Sequence, residues 1–254
     1  MRWRLALSPP LVGVSSLDLG PLAHCRRPFF LSVSFFSVRI FTPDHVLSLD
    51  HITIIAPSLA EGVDHVRACL DIDVPFGTKH PDMGTHNHRL RLGETVYLEI
   101  IAVDPDAPRP SGPRWFTLDD TAAVRRHWQN GERLRAWVAS TDDIGAVLAA
   151  HGDLLGGKMR IGGQLQFSVL ADGRLPRGGV APCVIDRAGQ SPPSAKMPDL
   201  GARLRDIVIE HPSPAEVTAL YGELGIASAP RVQEGPRFRY VATIETARGP
   251  RTLY

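Results

Sequence analysis

No stretch of this sequence carries the roughly 18 consecutive apolar residues that a membrane-spanning helix requires, so no bilayer span is expected. Cysteine is scarce. The three present, Cys25, Cys69 and Cys183, are odd in number and too scattered for a zinc knuckle or a disulfide framework. Each reads as a small hydrophobe in a reduced, cytoplasmic protein. An excess of either charge is also missing, since 28 Lys and Arg stand against 27 Asp and Glu for a formal charge of +1. No basic run is interleaved with aromatics, which excludes nucleic acid and anionic membranes as expected partners. What remains is ordinary globular composition over 254 residues, enough chain for one large or two small domains.

Residues 1–45 are poor in acidic residues and show no clean period of 2 or 3.6 until their end. A secretory signal is one reading of the basic start, but the Ser8-Pro9-Pro10 interruption and the lack of a small-x-small site speak against it. A transit peptide fits the composition. A start placed upstream of a domain that begins near Val46 is the preferred reading, and the segment is left out of the fold argument.

From Leu49 the pattern is regular. "LDHITIIA" alternates as a strand, and Ser58 with Glu61 forms a capping box. Leu59, Val63, Val66 and Leu70 then recur at helical spacing. Three extended segments follow, "DVPFGTK", "THNHRLRL" and "TVYLEIIAV", punctuated by Gly84 and Gly93-Glu94. A second copy opens on "RAWVAS", with Thr141 as cap, a helix inward at Ile144, Val147 and Leu148, and Gly152 at its end. The strands "LLGGKMRI", "QLQFSVLAD" and "GVAPCVIDR" complete it. A third opens on "LRDIVIEH", with Ser213 as cap, Pro214 at the first helical position and Gly225 at the end. "FRYVATIET" and "GPRTLY" are its final strands.

The expected fold class is therefore α+β, with repeated βαβββ units forming curved mixed sheets around a cup and helices packed outside. Two units, 46–103 and 133–190, are joined by 104–132 and make one domain over 46–190. A proline-rich linker, 191–203, leads to a third βαβββ-like unit at 204–254. Within 104–132, Asp119 to Gln129 is predicted to form a short helix with Ala123 and Val124 inward. Three units cannot all pair as twos within one chain, which points to a homodimer.

A βαβββ repeat opening on "LDHI" and closing its fourth strand on "YLEI", with "HPDMGTHN" between and "APCVIDRAG" at the end of the second copy, resembles the glyoxalase-like domain proteins of the vicinal oxygen chelate superfamily (glyoxalase, bleomycin resistance, extradiol dioxygenase). The resemblance spans Leu49 to about Arg187. In that group the last strand commonly ends in aspartate followed by tryptophan, whereas here Arg187 follows Asp186. The resemblance implies a half-open cup with a divalent metal on its floor, and His51 and Glu99 as two of the ligands.

Strand parity supports the placement independently. If Ile52, Ile54 and Ala56 face the helix, then His51, Thr53 and Ile55 face the cup. Likewise Val96, Leu98 and Ile100 leave Tyr97, Glu99 and Ile101 on the cup side. Imidazole with carboxylate suits Zn²⁺, Mn²⁺, Ni²⁺ or Fe²⁺. The second copy does not repeat the histidine: Ala136 stands opposite His51, and Val184 or Asp186 falls near the glutamate position. Asn87 and Arg89 share the cup parity, and Arg89 suits an anchor for a substrate carboxylate or phosphate. His86 and His88 fall on the helix side with Leu90 and Leu92, and Trp137 reads as core.

Two functions follow from the resemblance. The first is a divalent-metal-dependent enzyme, a lyase or isomerase, acting on a small vicinal-oxygen or enolisable molecule. Glu99 would be catalytic, Asn87, Arg89, Tyr97 and Asp186 would bind substrate, and Asp186 or Asp206 would be alternative bases. A ring-cleaving dioxygenase is less favoured because only one histidine is well placed. The alternative is a metal-free protein that binds or sequesters a small molecule.

Overall fold

The computed structural model describes residues 46–254, so the readings made for residues 1–45 lie outside the described residues. In chain order the elements are β1 (Ser48–Ile55), α1 (Leu59–Leu70), β2 (Phe76–His80), β3 (Thr85–Arg91), β4 (Tyr97–Val103), α2 (Thr121–Gln129), β5 (Leu134–Thr141) and α3 (Ile144–Leu155). They continue with β6 (Gly157–Ile161), β7 (Leu165–Val169), β8 (Cys183–Asp186), β9 (Arg203–His211), α4 (Pro214–Glu223), β10 (Arg231–Glu234), β11 (Arg239–Thr246) and β12 (Gly249–Leu253). No helix among them is long and apolar enough to cross a membrane.

The first two units merge into one eight-stranded sheet, in the order β2-β3-β4-β1-β5-β8-β7-β6, that curls into an open half-barrel. Its two halves mirror each other. β1 runs parallel to β4 as β5 runs parallel to β8, and the antiparallel β1–β5 pair is the seam. The alternation seen in sequence becomes two cores. Ile52, Ile54, Leu90, Leu98, Ile100, Trp137 and Val184 join Val66 and Leu70 of α1 and Val147 and Leu155 of α3 on the convex side. Ile55, Ile101, Ala136, Val138, Phe167, Cys183 and Ile185 form the concave side. Helix α1 approaches very closely at Gly62, where a Cβ would lie 2.4 Å from Ile100 Cγ2.

Caps explain most helix starts. The Ser58 hydroxyl accepts from Glu61 N at 3.3 Å and donates to Glu61 Oε2 at 2.7 Å. Helix α3 begins two residues later than Thr141 suggested, because Asp143 is the cap and accepts from Ala146 N. Thr141 Oγ1 instead accepts from Asp143 N, and the helix runs past Gly152 to Leu155. Ser213 occupies the cap position of α4 without a side-chain hydrogen bond.

The third unit keeps the element order but not the sheet order. Its strands run β10-β9-β11-β12, with β9 central and parallel to β10, whereas β1 pairs with the last strand of its own unit. Ile207, Ile209, Tyr240, Ala242 and Ile244 turn inward and share the convex core. The Tyr221 hydroxyl donates to Val180 O at 2.6 Å, and its ring packs edge-on against Trp137. The cup is completed by the first two units of a single chain.

Candidate active site

The floor of the cup is built where β1 and β4 lie side by side, with His51 opposite Tyr97 and Thr53 opposite Glu99. His51 and Glu99 are 3% and 5% exposed, and their Nε2 and Oε2 atoms stand 3.5 Å apart. The other ring nitrogen, Nδ1, is 2.6 Å from Asp50 Oδ1. The other oxygen of Glu99, Oε1, accepts from Asn87 Nδ2 at 2.6 Å. The His51 ring stacks on Tyr97 with centroids 4.5 Å apart. Strand β3 thus brings Asn87 to the same floor, and β2 brings His80, whose Nε2 is 3.5 Å from Asn87 Nδ2.

Electrostatics follow from this chain of contacts. Burial opposes the Asp50 charge, yet hydrogen bonds from His51 and Arg187 outweigh it and draw the carboxyl down to about 2. Asp50 is therefore an anion at neutral pH, and Nδ1 of His51 carries a proton. Burial also disfavours charge on His51, but hydrogen bonds to Asp50 and Glu99 prevail and hold its pKa above the usual histidine value. Glu99 shows the reverse balance: burial raises it, while His51, His80 and Asn87 bring it below the ordinary carboxylate value. His80 is lowered by burial, so it stays neutral at pH 7.

One wall is aromatic. Trp115 and Phe116 come from the loop after β4, where Phe116 and Thr117 adopt left-handed backbone angles, φ 57° and 62°. That loop is pinned by Thr117 N donating to Gly173 O at 2.9 Å and by the Arg114–Asp119 pair at 2.6 Å. Trp115 packs against Phe167 of β7 at 5.2 Å and edge-on to His80 at 5.1 Å. Leu165, Ile161 and Ile185 complete a cavity of about 230 Å³ whose polar side holds His51, His80, Asn87, Arg89, Glu99 and Arg187. A larger hollow of about 670 Å³ lies over the 104–125 loop, but it contains none of these groups and its Arg114 and Arg125 are paired with Asp119 and Glu61.

The sequence model of the glyoxalase-like domain family matches residues 49–225. The chain belongs to the glyoxalase-like domain family. The resemblance to the vicinal oxygen chelate superfamily is thereby borne out. A hypothetical protein from Staphylococcus aureus is similar in structure at 12% identity and a TM-score of 0.49, covering 76% of this chain and 88% of that one. Methylmalonyl-CoA epimerase from Streptomyces coelicolor, solved with 2-nitronate-propionyl-CoA, is similar over 56% of this chain and 96% of its own, at 20% identity and a TM-score of 0.36. A mutant of 4-hydroxymandelate synthase from the same organism gives 13% identity, a TM-score of 0.37, and coverage of 81% and 62%. Among curated proteins none matches in sequence.

The donors on the floor test whether a metal fits. The 3.5 Å between Nε2 and Oε2 is a separation that two ligands of one ion, each about 2.0–2.1 Å from it, would show. The carboxylate on Nδ1 is also the usual tether of a metal-binding histidine. The set ends there. Among the described residues no three His, Cys, Asp or Glu side chains gather as a metal site, so the chain supplies two donors where a divalent ion usually takes three or four from the protein.

The register explains why the second half adds nothing. Thr53 pairs with Glu99, and its counterpart Val138 pairs with Cys183, so Cys183 rather than Val184 or Asp186 occupies the glutamate position. Burial, with the Glu99 charge adding to it, pushes that thiol up to about 12. Asp186 does not line the cavity. Its carboxylate accepts from Ile144 N at 3.3 Å and Ala188 N at 2.8 Å, which ties β8 to the start of α3. Asp206 is on the far sheet, paired with Arg231. His51, Glu99, Asn87, Arg89 and Tyr97 are brought together as their parity required.

Sequence reasoning missed four contributors, Arg187, His80, Trp115 and Phe116. Arg187 stands out in the sequence only as a departure from the family pattern, yet it grips Asp50 while its Nη2 lies 3.3 Å from the Tyr97 hydroxyl. His80 sits in a histidine cluster with no parity to separate it from its neighbours. Trp115 and Phe116 lie in a loop with no period to read.

Proposed function

We propose that the cup is the active site of a small-molecule enzyme that moves a proton on an oxygen-bearing substrate, with His51 and Glu99 as the reacting pair. The observation that carries this reading is the continuous buried chain from Asp50 through His51 to Glu99 and Asn87 at the floor of the cavity. Asp50 fixes the proton on Nδ1 and, with Glu99, favours a second proton on Nε2. A substrate carbonyl oxygen placed beside His51 would accept a hydrogen bond from Nε2–H. Glu99, held by Asn87 through Oε1, would then use Oε2 to take a proton from the carbon next to that carbonyl. The electron pair left behind spreads onto the oxygen that His51 serves. Return of the proton to the same or a neighbouring carbon gives an isomerase, and loss of a group from the next carbon gives a lyase.

Proton exchange tests this directly. Small 2-oxo compounds incubated with the protein in D₂O should lose the NMR signal of the hydrogen next to the carbonyl, and Glu99→Gln should abolish that loss while folding normally. Failure of the wild type to exchange any member of the panel, with and without added divalent ions, would leave the cup a binding or sequestering site only.

A second reading retains the metal. It is favoured by the 3.5 Å separation of Nε2 and Oε2 and by the Asp50 tether. About one divalent ion per chain by plasma mass spectrometry, lost in His51→Ala, would establish it; none after incubation with Zn²⁺, Mn²⁺, Ni²⁺ and anaerobic Fe²⁺ would end it.

A further inference from the structure

Two buried donors in the cup have no acceptor among the described residues. Trp115 is 4% exposed and its Nε1–H has no acceptor; Arg89 is half-buried and its Nε–H has none either. Both side chains line the cavity above His51 and Glu99. A buried N–H without a partner is costly, and native proteins leave few of them. Both groups can only donate, so a visitor that satisfies them must bring acceptor oxygens.

Charge sharpens the requirement. Of the other cations on the cavity wall, Arg187 is spent on Asp50 at 2.6 Å, Lys79 on Asp104 at 2.8 Å, and His51 lies between Asp50 and Glu99. The Glu99 anion is answered by His51 and Asn87. Asp82, the remaining carboxylate on the lining, is exposed and makes no ion pair with Arg89 among the described residues. Arg89 is therefore a cation in a sheltered cup that makes no ion pair among the described residues, although Glu99 faces it across the β3–β4 register. Its planar fork suits a carboxylate better than any neutral oxygen.

The opposite wall describes the rest of the visitor. Trp115, Phe116 and Phe167 stand 5.2–5.9 Å from one another in tilted and edge-on contacts, flanked by Leu165 and Ile185. Such a wall favours a flat apolar body. The cavity, about 230 Å³, has room for a single ring with a short arm.

We infer that the ligand of the cup is a small aromatic carboxylate, its acid group on Arg89 and Trp115 Nε1 and its ring against Trp115, Phe116 and Phe167. The inference rests on the reading of the cup as a small-molecule site, and it names the substrate class for that site.

Calorimetric titration with three probes decides it. Phenylacetate supplies ring and charge, phenylacetamide the same shape without charge, and acetate the charge without the ring. Phenylacetate should bind in the millimolar range or tighter, and each of the others at least tenfold more weakly. Arg89→Met should cost phenylacetate about tenfold or more, and Trp115→Phe, which keeps a ring and removes the N–H, several-fold. Equal binding of phenylacetamide overturns the anionic half of the inference, equal binding of acetate overturns the aromatic half, and binding of none overturns the whole. Should Arg89→Met fail to fold, phenylacetate against phenylacetamide on the wild type still separates a charged ligand from a neutral one. Binding is read without turnover and is repeated on Glu99→Gln. Phenylacetate binding in a protein that exchanges no protons would therefore sink the enzymatic reading alone, while exchange in a protein that ignores phenylacetate would sink only the ligand class.

Discussion

Arg187 reaches Asp50 across 137 positions of sequence and holds both of its oxygens, Nε at 2.8 Å and Nη2 at 2.6 Å. The pair fixes the orientation of the carboxylate that in turn orients His51. Removing the arginine leaves a buried carboxylate balanced by His51 alone. Arg187→Met should lower unfolding stability by about 3 kcal/mol, read from urea denaturation. A loss under about 1 kcal/mol would mean that the pair does not anchor the floor.

Acid should act on the same carboxylate. Asp50 titrates near 2 in the folded protein against 3.8 as an ordinary aspartate, so between those values the unfolded chain binds more protons than the folded one. Stability from this group is whole above about pH 3.8 and falls as the pH drops toward 2, by roughly 2 kcal/mol in all. Asp50→Asn should flatten that part of the pH–stability curve. His51 works in the other direction: its raised pKa gives stability that is whole below pH 6.5 and fades as the pH rises through the folded value. A wild-type curve that keeps rising with pH above about 7 would contradict the raised pKa of His51.

Gly77 is a third point of control. A Cβ built there would lie 2.2 Å from Asn87 Oδ1 and 2.7 Å from Arg89 Nε. Thr78 N, next in line, donates to that same Asn87 oxygen at 2.8 Å. Gly77→Ala should therefore displace Asn87 and Arg89 together. Proton exchange and carboxylate affinity should each fall about tenfold or more, with a stability cost of about 1–3 kcal/mol. Unchanged affinity would show that neither side chain has to sit where it does.

Asp186 separates structural from binding roles. Its two acceptor contacts join β8 to the first turn of α3 and to the following turn. Asp186→Ala should cost about 1–2 kcal/mol in thermal or chemical unfolding and leave the affinity of the cup for its ligand unchanged. A selective loss of affinity in a stably folded variant would return this residue to the site.

What the sequence made legible was periodicity and its consequences. Alternation in β1 and β4 separated Ile52, Ile54, Leu98 and Ile100 from His51 and Glu99, because a strand has only two sides. The same logic put His88 on the helix side, where its ring nitrogen lies 2.6 Å from Val74 O. Strand β10 has no such signature, because Arg231–Glu234 is four residues long and almost wholly exposed, so it carries no apolar signal. The link from Asp50 to Arg187 depends on how β1 and β8 are set across the seam, which no local pattern encodes. Asp186 was expected at the cup through the family resemblance. The register of β8 turns Ile185 inward instead and leaves its neighbour for α3.

The two halves of the eight-stranded sheet match strand for strand, yet one carries the charges and the other mostly apolar side chains. A cup with equal halves would admit a guest either way round. On the proposed reading, a molecule with one oxygen-bearing end would dock in a single sense, so the face of its reactive carbon turned toward Glu99 would be fixed before any proton moves. Broken symmetry in the host thus becomes handedness in the product: chemistry at a prochiral carbon in this cup should yield one enantiomer.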